Sequence, residues 1–105
     1  MFLWSNATTT NNFRVIASGN TQADLNATAA LNTFNKQAAA YAFNNFASVV
    51  NGGTVGTDTS GSVPVVTRFQ IGADSSGIQN NGTIKKIAYY PRRLTNSEIQ
   101  SLTTI

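Results

Sequence analysis

The chain has 105 residues, of which seven are basic and four acidic, and it contains neither cysteine nor histidine. That length holds one domain; without cysteine there is no disulfide framework and no thiolate ligand or nucleophile, and without histidine the commonest general base and metal ligand is missing. Only 10% of residues are charged, against about a quarter in an average domain, while 41% stay apolar, so Asn, Thr, Ser and Gly have displaced charge and not the core, as in chains built of strands and turns.

Phe2-Leu3-Trp4 reads as a short buried strand, followed by a polar loop from Asn6 to Asn12. The opening Met1 to Trp4 is too short for a signal peptide, and nothing later reaches the apolar length of a membrane span, so no membrane partner is expected. Phe13 to Ala17 is a second strand, stopped by the turn residues Ser18-Gly19-Asn20. In the next run Ala23, Leu25, Ala27, Ala29 and Leu31 alternate with Gln22, Asp24, Asn26 and Thr28. A period of two over that length predicts a half-buried strand.

Gln37 to Phe43 predicts a strand with Tyr41 and Phe43 on one face and Ala38, Ala40 and Ala42 on the other. Asn44-Asn45 reverses the chain into Phe46 to Val50, and Asn51-Gly52-Gly53 reverses it again into Thr54 to Thr57. Asn and Gly tolerate the positive φ that tight hairpins need. Asp58 to Pro64 reads as a loop, and Val66 to Gly72 as a strand with Phe69 and Ile71 inward. A long polar loop, Ala73 to Asn81, leads into a strand from Thr83 to Tyr90, where the spacing of Ile84 and Ile87 implies a bulge at Lys85-Lys86 or burial on both faces. Pro91 ends that strand because it cannot donate to a ladder.

Thr95-Asn96-Ser97-Glu98 is a capping box, with Leu94 and Ile99 at the hydrophobic-staple positions and Leu102 continuing their face. It predicts one short C-terminal helix. Short, regularly spaced strands with polar turns predict a sandwich or barrel for the rest.

Three stretches resemble the C-terminal end of concanavalin A-like, laminin-G-like jelly-roll domains of the kind carried on bacteriophage tail and other virion proteins. They are Arg68 to Gly72, Asn81 to Tyr90, and the step Pro91-Arg92-Arg93-Leu94 into Thr95 to Ile99. The hairpins at Ala40 to Phe46 and Asn51 to Gly53 fit the same pattern, whereas Thr83 stands where the family often has His. The resemblance implies an all-β, antiparallel jelly-roll-type sandwich with one short C-terminal helix. It also implies a place on a virion or other extracellular surface, and binding of a glycan or another virion protein. Complete domains of this kind run about 150 to 250 residues. The chain is therefore expected to be either one whole small sandwich, residues 1–105, or the C-terminal portion of a larger one, pairing with upstream strands or with another copy of itself through open strand edges.

Glycoside hydrolysis needs two carboxyl groups across the scissile bond. The stock is Asp24, Asp58, Asp74 and Glu98; Glu98 is explained by capping and Asp24 by the polar face of its strand, so no catalytic residue and no cofactor are expected. If the strands form a meander, alternate loops share one end, and Asn11, Asn35, Asp74 and Asn80 become the candidate glycan ligands. Calcium prefers several carboxylates, so Asp74 with Asn80 makes only a poor site for it. Trp4, Tyr41, Phe43 and Tyr89 read as core residues. Lys85, Lys86, Arg92 and Arg93 read as solvated or ion-paired edge residues, and no nucleic-acid partner is expected.

Overall fold

The computed structural model describes residues 2–5, 10–28, 33–65 and 84–104. Among these residues six strands and a helix follow in order: β1 (Phe2–Ser5), β2 (Thr10–Ala17), β3 (Asn20–Thr28), β4 (Gln37–Ala42), β5 (Asn45–Val50), β6 (Gly56–Asp58) and α1 (Asn96–Thr103). They form two antiparallel three-stranded sheets, in the orders β1-β2-β3 and β4-β5-β6. The chain is thus all-β with one short C-terminal helix.

Alternation along the strands decides how the layers stack. In β3, Ala23 is buried and Leu25 and Ala27 half-buried, while Asp24, Asn26 and Thr28 are exposed, as their period of two predicts. Phe13 and Val15 of β2 and Ala23 of β3 share a core with Phe46 of β5, and Leu25, Ala39, Tyr41 and Val63 pack around it. This is the interface between the sheets. β5 carries a second set on its other face: Ala47 and Val49, with Ala40 of β4, close on Leu94 and Ile99. β5 is therefore buried from Phe46 to Val50 without a break, because it has a sheet on one side and a helix on the other.

A register shift in the β2–β3 ladder pairs Val15 with Ala23 but Ile16 with Thr21, so Gln22 bulges out unpaired. The bulge sends Gln22 across to the other layer, where its Oε1 accepts from the Ser62 N–H at 2.9 Å. Beside it Gly61 is tied to the β4–β5 turn: Asn44 N–H donates to the Gly61 carbonyl and Gly61 N–H to Asn44 Oδ1, both at 2.9 Å.

Several sequence expectations change. Thr10 to Asn12 do not loop; they pair with Thr28, Ala27 and Asn26 as the start of β2. Residues 84–90 do not form a strand; they run irregular and exposed, with no bulge at Lys85-Lys86. Their side chains touch the β4 side in sequence order. Lys85 Nζ lies 5.1 Å from the centre of the Phe34 ring, and the Tyr89 phenol lies close enough to Tyr41 to push its phenol upward. Those two contacts are seven residues apart on one side and four on the other, so the backbones do not advance in step and no ladder forms.

Phe43 and Tyr89 are not core residues, being 71% and 74% exposed. Phe43 stands in the turn beyond the last β4–β5 pair, Ala42 with Asn45, and Tyr89 lies on the unpaired segment. Leu102 is also exposed, and Thr103 takes its place in the core: it follows Ile99 by one helical repeat of four. The expected strand Val66 to Gly72, the loop Ala73 to Asn81 and the side chain of Trp4 lie outside the described residues.

Candidate functional site

Helix α1 is positioned by its first turn. Thr95 Oγ1 accepts from Glu98 N–H at 3.1 Å and Glu98 Oε1 accepts from Thr95 N–H at 3.2 Å, the reciprocal capping box. Leu94 and Ile99, on either side of the cap, are both buried against β4 and β5. Arg93 ties the same point down by donating to the Leu94 carbonyl and to the side chains of Asn45 and Asn96. Arg92 turns the other way and grips Glu98 with two nitrogens, at 2.7 and 3.2 Å.

That fork, and then the capping N–H of Thr95, hold the Glu98 carboxyl at about 2, below its ordinary 4.5. A depressed carboxylate contributes stability above its unfolded value and loses it as pH falls through the folded one. Helix docking should therefore keep its full Glu98 contribution above about pH 4.5 and lose it toward pH 2. Circular dichroism of α1 under acid titration checks this: Glu98→Gln should flatten the acid limb, and Thr95→Ala should cost about 1 kcal/mol at every pH where the cap forms.

Two grooves flank the segment that leads into this helix. One, of about 380 Å³, lies between Tyr90, Arg92 and Leu94 on one wall and Ser97, Ser101 and Leu102 of α1 on the other. The second, about 200 Å³, lies between Ala88 to Leu94 and the Ala39–Tyr41 stretch of β4. Tyr90, Arg92 and Leu94 line both, so the two meet along the segment. Tyr90 is 46% exposed, and with Tyr89 it offers aromatic surface to solvent. Burial first, and then its neighbour Tyr89, push the Tyr41 phenol upward, so it stays a protonated donor and acceptor at neutral pH. Ser97 and Ser101, four apart on the helix, add hydroxyls along one side.

Of the residues expected from sequence, the two that are described, Asn11 and Asn35, line neither groove. Asn11 sits within β2, its backbone opposite Ser5 and Ala27. Asn35 does meet the Asn51–Gly53 turn, as expected of neighbouring loops, but its amide is employed in the fold: Oδ1 accepts from Asn51 Nδ2 at 2.8 Å and Nδ2 donates to the Thr33 carbonyl at 3.2 Å. Asp74 and Asn80, and with them the calcium position, lie outside the described residues. Sequence reasoning missed the tyrosines as surface groups. The signal was Pro91, which separates Tyr89 and Tyr90 from the buried Leu94 by a bend.

No family model matches this chain, and no curated protein does. Among solved structures it is similar to an S-layer domain-containing protein fragment, residues 221–444, from Clostridium thermocellum. The TM-score is 0.56 at 20% identity, over 97% of this chain and 55% of that one. The chain thus spans about half the length of that fragment, and at this identity the likeness is one of fold alone. No helix among the described residues is long and apolar enough to cross a membrane.

The three described carboxylates are each engaged in a different place. Arg14 donates to Asp24 at 2.9 Å and Asn12 donates to it as well; the Asn12 hydrogen bond, ahead of Arg14, keeps the Asp24 carboxyl low. Asp58 Oδ1 accepts from Ser60 N–H at 3.0 Å, and Glu98 is held as above. Among the described residues no three acidic groups converge on a metal position.

Proposed function

We propose that this chain is a non-catalytic recognition module of an extracellular or particle surface, such as a virion, and that it holds a carbohydrate chain along the Tyr89–Leu94 segment. The observation that carries this reading is the pair of exposed tyrosines, Tyr89 and Tyr90, lining grooves that meet at Tyr90 and Arg92, one of them walled by the Arg92–Glu98 fork. Sugars offer apolar C–H faces and a rim of hydroxyls; they are held by aromatic surface with a few placed polar groups. Tyr89 and Tyr90 supply the first, and Ser97, Ser101 and the planar Arg92–Glu98 pair supply the second.

A surface location is favoured by the low charge and high Asn and Thr content, by the resemblance of the Arg-Arg-Leu step and capped helix to virion jelly rolls, and by the fold shared with an S-layer domain-containing protein. A non-catalytic role is favoured by the separate engagement of Asp24, Asp58 and Glu98, since hydrolysis of a glycoside asks two carboxyl groups to face one bond.

The test is binding to an array of immobilised polysaccharides. The chain should bind at least one, and Tyr89→Ala and Tyr90→Ala should each weaken it about tenfold or more, as loss of an aromatic hot spot does. Asn35→Ala, in the segment before β4, should leave binding intact. Loss through Asn35 with the tyrosine variants unaffected would return the site to the loops. A second reading, a self-associating structural module, is favoured by β4: it is one of the two outer strands of its sheet among the described ladders, with Ile84 and Ile87 exposed nearby. Oligomers that grow with concentration, together with no glycan signal, would select it.

A further inference from the structure

Asn51-Gly52 is a dipeptide whose chemistry the fold holds in check. Both residues have positive φ, 53° and 66°, and Gly53 N–H donates to the Val50 carbonyl at 3.0 Å, so they are the two central residues of a tight turn within the β5–β6 connection. An Asn followed by Gly is prone to deamidation, because no side chain on the glycine shields its backbone nitrogen. That nitrogen, once deprotonated, attacks the Asn side-chain carbonyl carbon. A new C–N bond closes a succinimide and ammonia leaves; water then opens the ring at either carbonyl to give aspartate or isoaspartate.

Here both reacting groups are occupied. Gly52 N–H donates to Thr103 Oγ1 at 3.1 Å, so the nucleophile is turned toward the last turn of α1. The electrophile is fixed from two sides: Asn51 Oδ1 accepts from Lys36 N–H, and Asn51 Nδ2 donates to Asn35 Oδ1, both at 2.8 Å. The helix end closes over the turn. Gln100 Nε2 donates to the Gly53 carbonyl at 2.7 Å and Lys36 Nζ to the Thr104 carbonyl at 3.1 Å. A Cβ on Gly52 would stand 3.0 Å from Thr104 Oγ1 and 3.1 Å from its Cα.

We propose that Asn51 is a deamidation site gated by the docking of α1: protected while the helix is seated and converted when it lifts. Conversion is one-way. An aspartate keeps the acceptor for Lys36 N–H but has no N–H for Asn35 Oδ1, so two oxygens face each other where a hydrogen bond was. Isoaspartate also lengthens the backbone in a two-residue turn. Either product weakens the seat of α1, which forms one wall of the groove.

The experiment incubates the folded chain at mildly alkaline pH and follows Asn51 by mass spectrometry on the tryptic peptide 37–68, which contains no other Asn-Gly pair. The same isolated peptide is the unfolded reference. Asn51 should convert many-fold more slowly in the folded chain than in the peptide, and Thr103→Val, which removes the acceptor for Gly52 N–H, should speed it severalfold. If Thr103→Val fails to fold, Gln100→Ala, which removes the bond from α1 to the Gly53 carbonyl, should speed it instead. Equal rates in folded chain and peptide would overturn the proposal, as would unchanged rates in the variants that fold.

Discussion

Phe46→Ala is expected to remove most of the stability of this fold. Phe46 is fully buried and is the one residue of β5 in the core between the sheets, beside Phe13 and Val15 of the opposite layer. Its ladder partner is Tyr41, whose ring packs on the same core. Truncating a buried Phe costs about 3–5 kcal/mol, counting lost transfer energy and the cavity left behind. A domain of this size has roughly 5–15 kcal/mol in all, and little remains. Phe43→Ala is the contrast: three residues away but 71% exposed, it should stay within about 0.5 kcal/mol. Urea unfolding of the two variants decides it. A Phe43 variant as damaged as the Phe46 variant would mean the turn is packed, contrary to the structure.

Gly61→Ala should be nearly as damaging, although it adds one methyl to a loop. At φ 141° the position is closed to L side chains, and a Cβ there would lie 2.7 Å from the Gln22 carbonyl oxygen and 3.1 Å from Phe46 Cε2. Backbone strain of this kind costs about 1–3 kcal/mol, and forcing apart a packed junction about as much again. The neighbour that must yield is backbone, held in the Gln22 bulge, so relaxation is restricted. Gly19→Ala separates the two effects: φ there is 78° with nothing within 4 Å, so only the left-handed penalty applies, about 1–2 kcal/mol. Thermal unfolding should rank Gly61→Ala well below Gly19→Ala; equal losses would mean the Gln22 junction is loose.

The strands from Phe13 to Val50 were legible because their side chains alternate and their turns carry Ser18-Gly19, Asn44 and Asn51-Gly52, residues that accept positive φ. The capped helix was legible for the same local reason: a hydroxyl, a carboxylate three residues on and an apolar pair around them. Residues 84–90 were misread because β propensity describes a surface to pack on, and no ladder partner advances in step with them. Tyr89 followed that error, since its assignment to the core assumed a strand. Leu102 was misread on hydropathy; the helical repeat puts Thr103 beneath Ile99, where its Oγ1 donates back to the Ile99 carbonyl at 3.0 Å. Asn35 was legible as a loop residue but not as a fastener, because its partner Asn51 is brought to it only by the β4–β5 pairing.

Under the proposed function, recognition lies on the Tyr89–Leu94 segment and α1 and not on the Asn-rich turns. Chemical-shift mapping of the folded chain, titrated with an oligosaccharide of the polysaccharide it binds, tests this most directly. Saturable shifts are expected at Tyr89, Tyr90 and Arg92 and along Ser97 to Leu102, with Asn35 and Asn51 unmoved. Shifts confined to Asn35 and the Asn51–Gly53 turn, or no saturable shift on the Tyr89–Leu94 segment, would contradict it.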